Sequence, residues 1–195
     1  VAVSPDGRHV YAAAFGSGNI VGFDRDLKTG KLDYLQTLND QERDPLGSAV
    51  SIRMSKDGKH AVVASFGTST VTLLKRDAKS GELSILDHIG GMNFVIEAAL
   101  SPDGKNIYAG CMSSVTVISV SGEGELEEVE ATSGEGTPLR NVRCVKVSDD
   151  GKNVYAASTR TGELLNYQRD PQTGKLTQKQ RIGDGHGGPD GPAAL

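Results

Sequence analysis

The stretch SPDGRHVYAAAFGSGNIVGFDRDLKTGKLDYLQT, residues 4–37, decides the fold. It opens on Ser4-Pro5-Asp6-Gly7, where proline presets φ at the second position of a type I turn and glycine supplies positive φ after it. HVYAAA from His9 and NIVGFDRD from Asn19 then read as two strands, rich in β-branched and aromatic residues. DLKTGKL from Asp26 supplies a longer hairpin with Gly30 at its left-handed position. KLDYLQT from Lys31 is more polar and alternating, as an outer edge strand should be.

The same text recurs. The turn returns as SKDG at Ser55, SPDG at Ser101 and SDDG at Ser148, in steps of 51, 46 and 47 residues. A short apolar strand precedes each turn: Val1 to Val3, Ser51 to Met54, Glu97 to Leu100 and Cys144 to Val147. HAVVAS from His60, NIYAGC from Asn106 and NVYAAS from Asn153 follow the later turns. STVTLLKRD from Ser69 and ELLNYQRD from Glu163 read as third strands. ELSILDH at Glu82, ELEEVEA at Glu125 and KLTQKQR at Lys175 begin the fourth. The hairpin glycine returns at Gly81 and Gly174, and unit three shortens this link to SGEGEL at Ser121. No helix-length 3.6 period appears.

Every connection within a unit is a hairpin, so each unit is an antiparallel four-stranded meander. One meander cannot bury both faces; neighbours stacked side by side can, and a period near 47 with strands alone points to propeller blades. The fold is therefore all-β, with four propeller blades at about 1–40, 49–90, 94–131 and 142–182. The first strand of each should lie nearest the axis, with Ile52, Met54, Leu100, Val145 and Val147 packed between blades. Ala193-Ala194-Leu195 stands where Val1-Ala2-Val3 stands, so residues 192–195 read as the start of a further blade and the chain as a window on a longer array. A closed four-bladed ring, or two chains pairing into eight blades, are the alternatives.

Composition bounds the function. The 195 residues are 36% apolar with a net charge of −4, enough for a continuous core. Lys and Arg are scattered, which argues against nucleic acid, and no segment approaches the apolar length of a membrane helix. Cys111 and Cys144 lack zinc spacing; they read as two buried free thiols, with a disulfide between neighbouring blades as the alternative.

SPDGKxxYAA followed by FxRDxxTGxL resembles the lactonase-type seven-bladed β-propellers, relatives of 6-phosphogluconolactonase and of YVTN-repeat surface proteins. The resemblance covers nearly the whole chain and implies membership of a seven-bladed or longer propeller. It implies either lactone hydrolysis or an extracellular module. No lactonase catalytic motif matches positions here, so no residue role is carried over. Unit three departs from the pattern, lacking the Arg-Asp found at Arg25-Asp26, Arg76-Asp77 and Arg169-Asp170.

Internal repeats separate scaffold from site. Asp6, Asp57, Asp103 and Asp150 recur as turn residues. His9 and His60 fill a turn-flanking slot that Asn106 and Asn153 fill elsewhere, and the Arg-Asp pairs read as hairpin-capping charges at the blade edge. The variable connections between blades, 38–49, 88–93, 131–141 and 182–191, gather on one face of a propeller, where binding residues usually sit. Asp40, Glu42, Arg43, Asp44, His88, Arg140, Arg143, Asp184 and His186 are the polar candidates there. No metal or other cofactor is expected, with calcium at Asp184, His186 and Asp190 as the one alternative.

Two functions from different classes fit. The favoured one is a non-catalytic interaction or scaffold module of a larger extracellular or envelope-associated protein. Its partners would be another protein, further blades of the same polypeptide or a second copy. The alternative is a lactone hydrolase, for which a convergent cluster of His, Arg and Glu at the channel mouth would be diagnostic. Glu97, Arg53, Arg143 and Lys146, on or beside first strands, are the residues available, and they can equally serve as channel-lining ion pairs.

Overall fold

A computed structural model describes residues 1–39, 45–133 and 139–183. It contains sixteen strands, in four antiparallel sheets of four, and no helix among the described residues. Blade 1 comprises β1 (Ala2–Val3), β2 (His9–Ala14), β3 (Asn19–Arg25) and β4 (Leu32–Leu38). Blade 2 comprises β5 (Ala49–Met54), β6 (His60–Ser65), β7 (Thr70–Arg76) and β8 (Leu83–Ile89). Blade 3 comprises β9 (Glu97–Leu100), β10 (Asn106–Gly110), β11 (Val115–Val120) and β12 (Leu126–Thr132). Blade 4 comprises β13 (Val142–Val147), β14 (Asn153–Ser158), β15 (Glu163–Arg169) and β16 (Leu176–Gly183). The third strand of unit three, β11, is the one that sequence reading left without bounds. The further blade expected at 192–195 lies outside the described residues.

The first strands stand side by side, β1 against β5, β5 against β9 and β9 against β13, so they line the axis. The turns take the expected geometry, with Gly7, Gly58, Gly104 and Gly151 at φ 72, 71, 71 and 70°. In each, the serine hydroxyl donates to the turn aspartate two residues on, as Ser101 Oγ does to Asp103 Oδ1 at 2.5 Å. The core is three layers between blades. On β6, Ala61 and Val63 face blade 1 whereas Val62 and Ala64 face blade 3, the period-2 alternation of a strand buried on both sides. Ile52, with Met54 beside it, packs in the first layer, Leu100 in the second, and Val145 and Val147 in the third.

The Arg-Asp pairs correct the sequence reading. Asp26, Asp77 and Asp170 do cap their hairpins, accepting from two backbone N–H groups each. Arg76 and Arg169 are buried, however, and reach into the preceding blade. Arg76 Nη2 donates to Asp6 Oδ2 at 2.8 Å and to His9 Nδ1 at 2.6 Å, and its Nε donates to Tyr11 OH at 3.0 Å. Tyr11 OH then donates to the Gly81 carbonyl at 2.6 Å. Arg169 repeats the pattern on Asp103, Asn106 and Tyr108, and Tyr108 OH donates to the Gly174 carbonyl at 2.9 Å. Each guanidinium also donates Nη1 to its own turn glycine, Gly58 or Gly151. These arginines clasp blades together rather than capping an edge.

The clasp sets the charge states around it. Burial alone would raise the Asp6 carboxyl, but the Ser4 hydroxyl, the Arg76 guanidinium and the Arg8 N–H together hold it far below the usual carboxylate range. Burial pushes the Tyr108 phenol up to about 12 against the pull of Arg169. Burial and the Arg76 charge hold His9 below its ordinary value of 6.5. Because the guanidinium can only donate, His9 Nδ1 accepts, and the neutral ring presents Nε2–H to Asp24 Oδ1 at 3.3 Å.

A pH dependence follows. The unfolded histidine takes a proton below about 6.5 and the folded one resists, so this stability is present above that pH and lost as pH falls. Urea denaturation from pH 7 to 5 should show a decline of at most about 1.4 kcal/mol per pH unit for this one proton. His9→Asn, the blade 3 residue, should flatten the curve in that window. A parent curve already flat there would refute the assignment.

Candidate functional site

The first strands carry the polar groups to the axis. Alternation along β5 turns Ser51 and Arg53 toward β9, whose first residue is Glu97. The Glu97 carboxylate is buried and accepts from Ser51 Oγ at 2.5 Å and from Arg53 Nη2 at 2.8 Å. Arg143, on β13, is exposed; its Nε donates to Asn141 Oδ1 at 3.2 Å. Asn141 holds a left-handed φ of 60° as the chain enters that strand.

These four groups share one cleft of about 520 Å³ with the rings of Phe15 and Phe66. Phe15 and Phe66 lie in the links from second to third strands of blades 1 and 2. Phe66 also stacks on Phe94 with ring centroids 5.0 Å apart. The cleft thus joins an apolar rim to a carboxylate and two guanidiniums at the axis. It can take a compact polar molecule and stabilise negative charge on it. No histidine lines it among the described residues.

The loop candidates divide. Arg143 lies in the cleft. Arg140 is exposed just before β13, its carbonyl accepting from Ser158 Oγ at 2.5 Å. His88 sits half-buried on β8 opposite Thr72, away from the axis. Asp40, Glu42, Arg43, Asp44, Asp184 and His186 lie outside the described residues, as does Asp190 of the calcium alternative. Among the described residues no three His, Cys, Asp or Glu side chains group as a metal site. Lys146 is exposed but is no part of the cleft lining. Sequence reasoning missed Ser51, which is one of several strand serines with no motif around it. Both cysteines are free, Cys111 buried and Cys144 exposed, which corrects the expectation of two buried thiols.

Comparison with known proteins gives this geometry its context. The sequence profile of the family described as "Lactonase, 7-bladed beta-propeller" matches residues 1–96 and again 87–187. The chain belongs to this lactonase family. No curated protein sequence matches it. Among solved structures, this lactonase-family propeller superposes on a candidate 6-phosphogluconolactonase of Bacteroides uniformis with a TM-score of 0.80 at 23% identity, covering 93% of this chain and 53% of that one. A Lactobacillus plantarum protein gives 0.79 at 21% identity, covering 92% and 53%. The periplasmic gluconolactonase of Pseudomonas aeruginosa gives 0.75 at 21% identity, covering 93% and 52%. These likenesses show a shared fold, and the chain spans about half the length of each structure. Family membership and lactonase-named neighbours overturn the non-catalytic scaffold favoured from sequence and back the alternative.

Proposed function

We propose that the lactonase-family propeller hydrolyses lactones at the axial cleft. The observation that carries this reading is the Glu97 carboxylate held between Ser51 and Arg53, with Arg143 in the same cleft. Opening a lactone needs a group that takes a proton from water and positive charge where the carbonyl oxygen becomes an oxyanion. In this reading Glu97 accepts the proton as water adds to the carbonyl carbon, and Arg53 and Arg143 stabilise the oxyanion. The ring C–O bond then breaks, and the departing alkoxide takes that proton from Glu97. The product is the open hydroxy acid, one water added and no charge lost. Phe15 and Phe66 offer an apolar wall to the carbon ring.

The substrate to try first is a sugar lactone, glucono-δ-lactone, because one neighbour is named a gluconolactonase. A pH-stat assay should show acid release faster than the spontaneous rate. Glu97→Gln and Arg53→Met should each lower kcat/KM by about ten- to a hundredfold, which is about 1.4–2.7 kcal/mol. A folded parent that adds nothing to the spontaneous rate, or variants as active as the parent, would refute this assignment.

A further inference from the structure

Successive blades meet at joints, and two of the three inside this chain are built alike. At joints 1–2 and 3–4 a guanidinium from the later blade meets three acceptors. They are Oδ2 of the turn aspartate, the polar side chain three residues on, and the turn-glycine carbonyl of the later blade. For Arg76 these are Asp6, His9 and Gly58; for Arg169 they are Asp103, Asn106 and Gly151. The aspartate Oδ1 is engaged within its own turn, by the serine hydroxyl and a backbone N–H.

Joint 2–3 has a blade of this chain on either side, yet lacks the guanidinium. Val120 stands in the arginine slot, its N–H on the Lys105 carbonyl as that of Arg76 is on Lys59. Val62 stands in the tyrosine slot, and the two valines pack in one layer. The three acceptors remain. Asp57 Oδ1 takes Ser55 Oγ and the Lys59 N–H, which leaves Oδ2 facing the Lys59 ammonium at 4.0 Å. Among the described residues no hydrogen bond reaches the His60 ring or the Gly104 carbonyl. The Asp57 side chain is 53% exposed, where Asp6 and Asp103 under their arginines are 36 and 35%.

The backbone keeps this place open. At the clasped joints the later hairpin covers it: a Cβ on Gly81 would strike His9, and one on Gly174 would strike Asn106. The blade 3 hairpin is one residue shorter, Val120 pairing with Leu126 where Arg76 pairs with Leu83. Its Gly124 approaches Leu86 instead of His60. A Cβ on Gly104 meets nothing within 4 Å, whereas on Gly58 and Gly151 it meets the arginine Nη1 at 3.6 and 3.5 Å. The result is a groove of about 350 Å³, lined by Asp57, His60 and Gly104 with Leu73, Leu100 and Val120.

We propose that this groove binds an arginine side chain of a partner polypeptide, its guanidinium donating to Asp57 Oδ2, the His60 ring and the Gly104 carbonyl. A planar fork donates from several edges at once, which the compact ammonium of lysine does not. Leu73 and Leu100 offer apolar surface to the methylene stem. Lys56 and Lys75 also line the groove, but both are exposed and neither forms an ion pair with Asp57. They lower the affinity for a cation without occupying its acceptors.

The probe is a blocked five-residue glycine peptide with one central arginine, titrated into the chain and followed by amide chemical shifts. Saturable shifts should centre on His60 and Gly104. Citrulline in place of the arginine keeps the shape and removes the charge; it should bind at least tenfold more weakly, as should the lysine peptide. Asp57→Asn should weaken binding at least tenfold while circular dichroism stays unchanged. Val120→Arg should set blade 3's own guanidinium on the same acceptors and abolish binding. Shifts that do not saturate or lie elsewhere, equal affinity for the citrulline peptide, or either folded variant binding like the parent would each overturn the proposal.

Discussion

Replacing Arg169 with alanine should destabilise the chain by about 2–3 kcal/mol in urea denaturation, the cost of losing a buried guanidinium's charged hydrogen bonds to a partly exposed carboxylate and a buried amide. The side chain is nearly inaccessible, and its removal takes one donor each from Asp103, Asn106 and Tyr108 at once. Asn106 is the worst placed, a buried amide whose Oδ1 loses its donor, whereas Asp103 is 35% exposed and keeps Ser101 Oγ and the Lys105 N–H. Joint 2–3 shows that blades can also meet without the clasp, through Val62 and Val120. Arg169→Val combined with Tyr108→Val copies that joint. The double variant should therefore cost clearly less than the sum of the two single ones, because the second change removes a partner that has already lost its donor. Additive losses, or an Arg169→Ala loss under 1 kcal/mol, would mean that the clasp contributes little.

The blades were legible because a turn, two hairpins and four strands recur together, and a recurring strand needs no tertiary information to be seen. Turn residues such as Asp103 read correctly as structural, but their second role did not. Asp103 and Arg169 are 66 residues apart, so nothing local joins them. One signal was available: unit two lacks the tyrosine, holding Val62, and unit three lacks the Arg-Asp pair. Such paired loss between successive units marks a contact between them.

The site was half legible. Arg53, Glu97 and Arg143 stood out as charges on first strands, which a propeller brings to its axis. Alternation along a strand does not reveal which neighbouring side chain binds a carboxylate, so Ser51 was invisible. The emphasis on variable loops drew attention to His88 and Arg140, which the fold keeps out of the cleft. Variation between repeats marks freedom from the scaffold, and a polar group can have that freedom without meeting others.

Gly81→Ala and Gly30→Ala place the same methyl group on nearly the same backbone, at φ 78 and 75°. Strain from the left-handed backbone should thus be shared, at about 1 kcal/mol each. Their surroundings differ. A Cβ on Gly30 meets nothing within 4 Å, whereas one on Gly81 would lie 2.0 Å from the His9 ring. That ring cannot swing aside freely, being buried with Nδ1 on Arg76 and Nε2 facing Asp24. Either the ring gives up the arginine or the hairpin lifts away from blade 1, and lifting breaks the bond from Tyr11 to the Gly81 carbonyl. Overpacking of this sort adds about 1–3 kcal/mol, so Gly81→Ala should cost about 3 kcal/mol against about 1 for Gly30→Ala. The difference reads the joint between blades with turn strain subtracted. If the two variants melt together, hairpin strain alone accounts for both, and His9 does not press on blade 2 in solution.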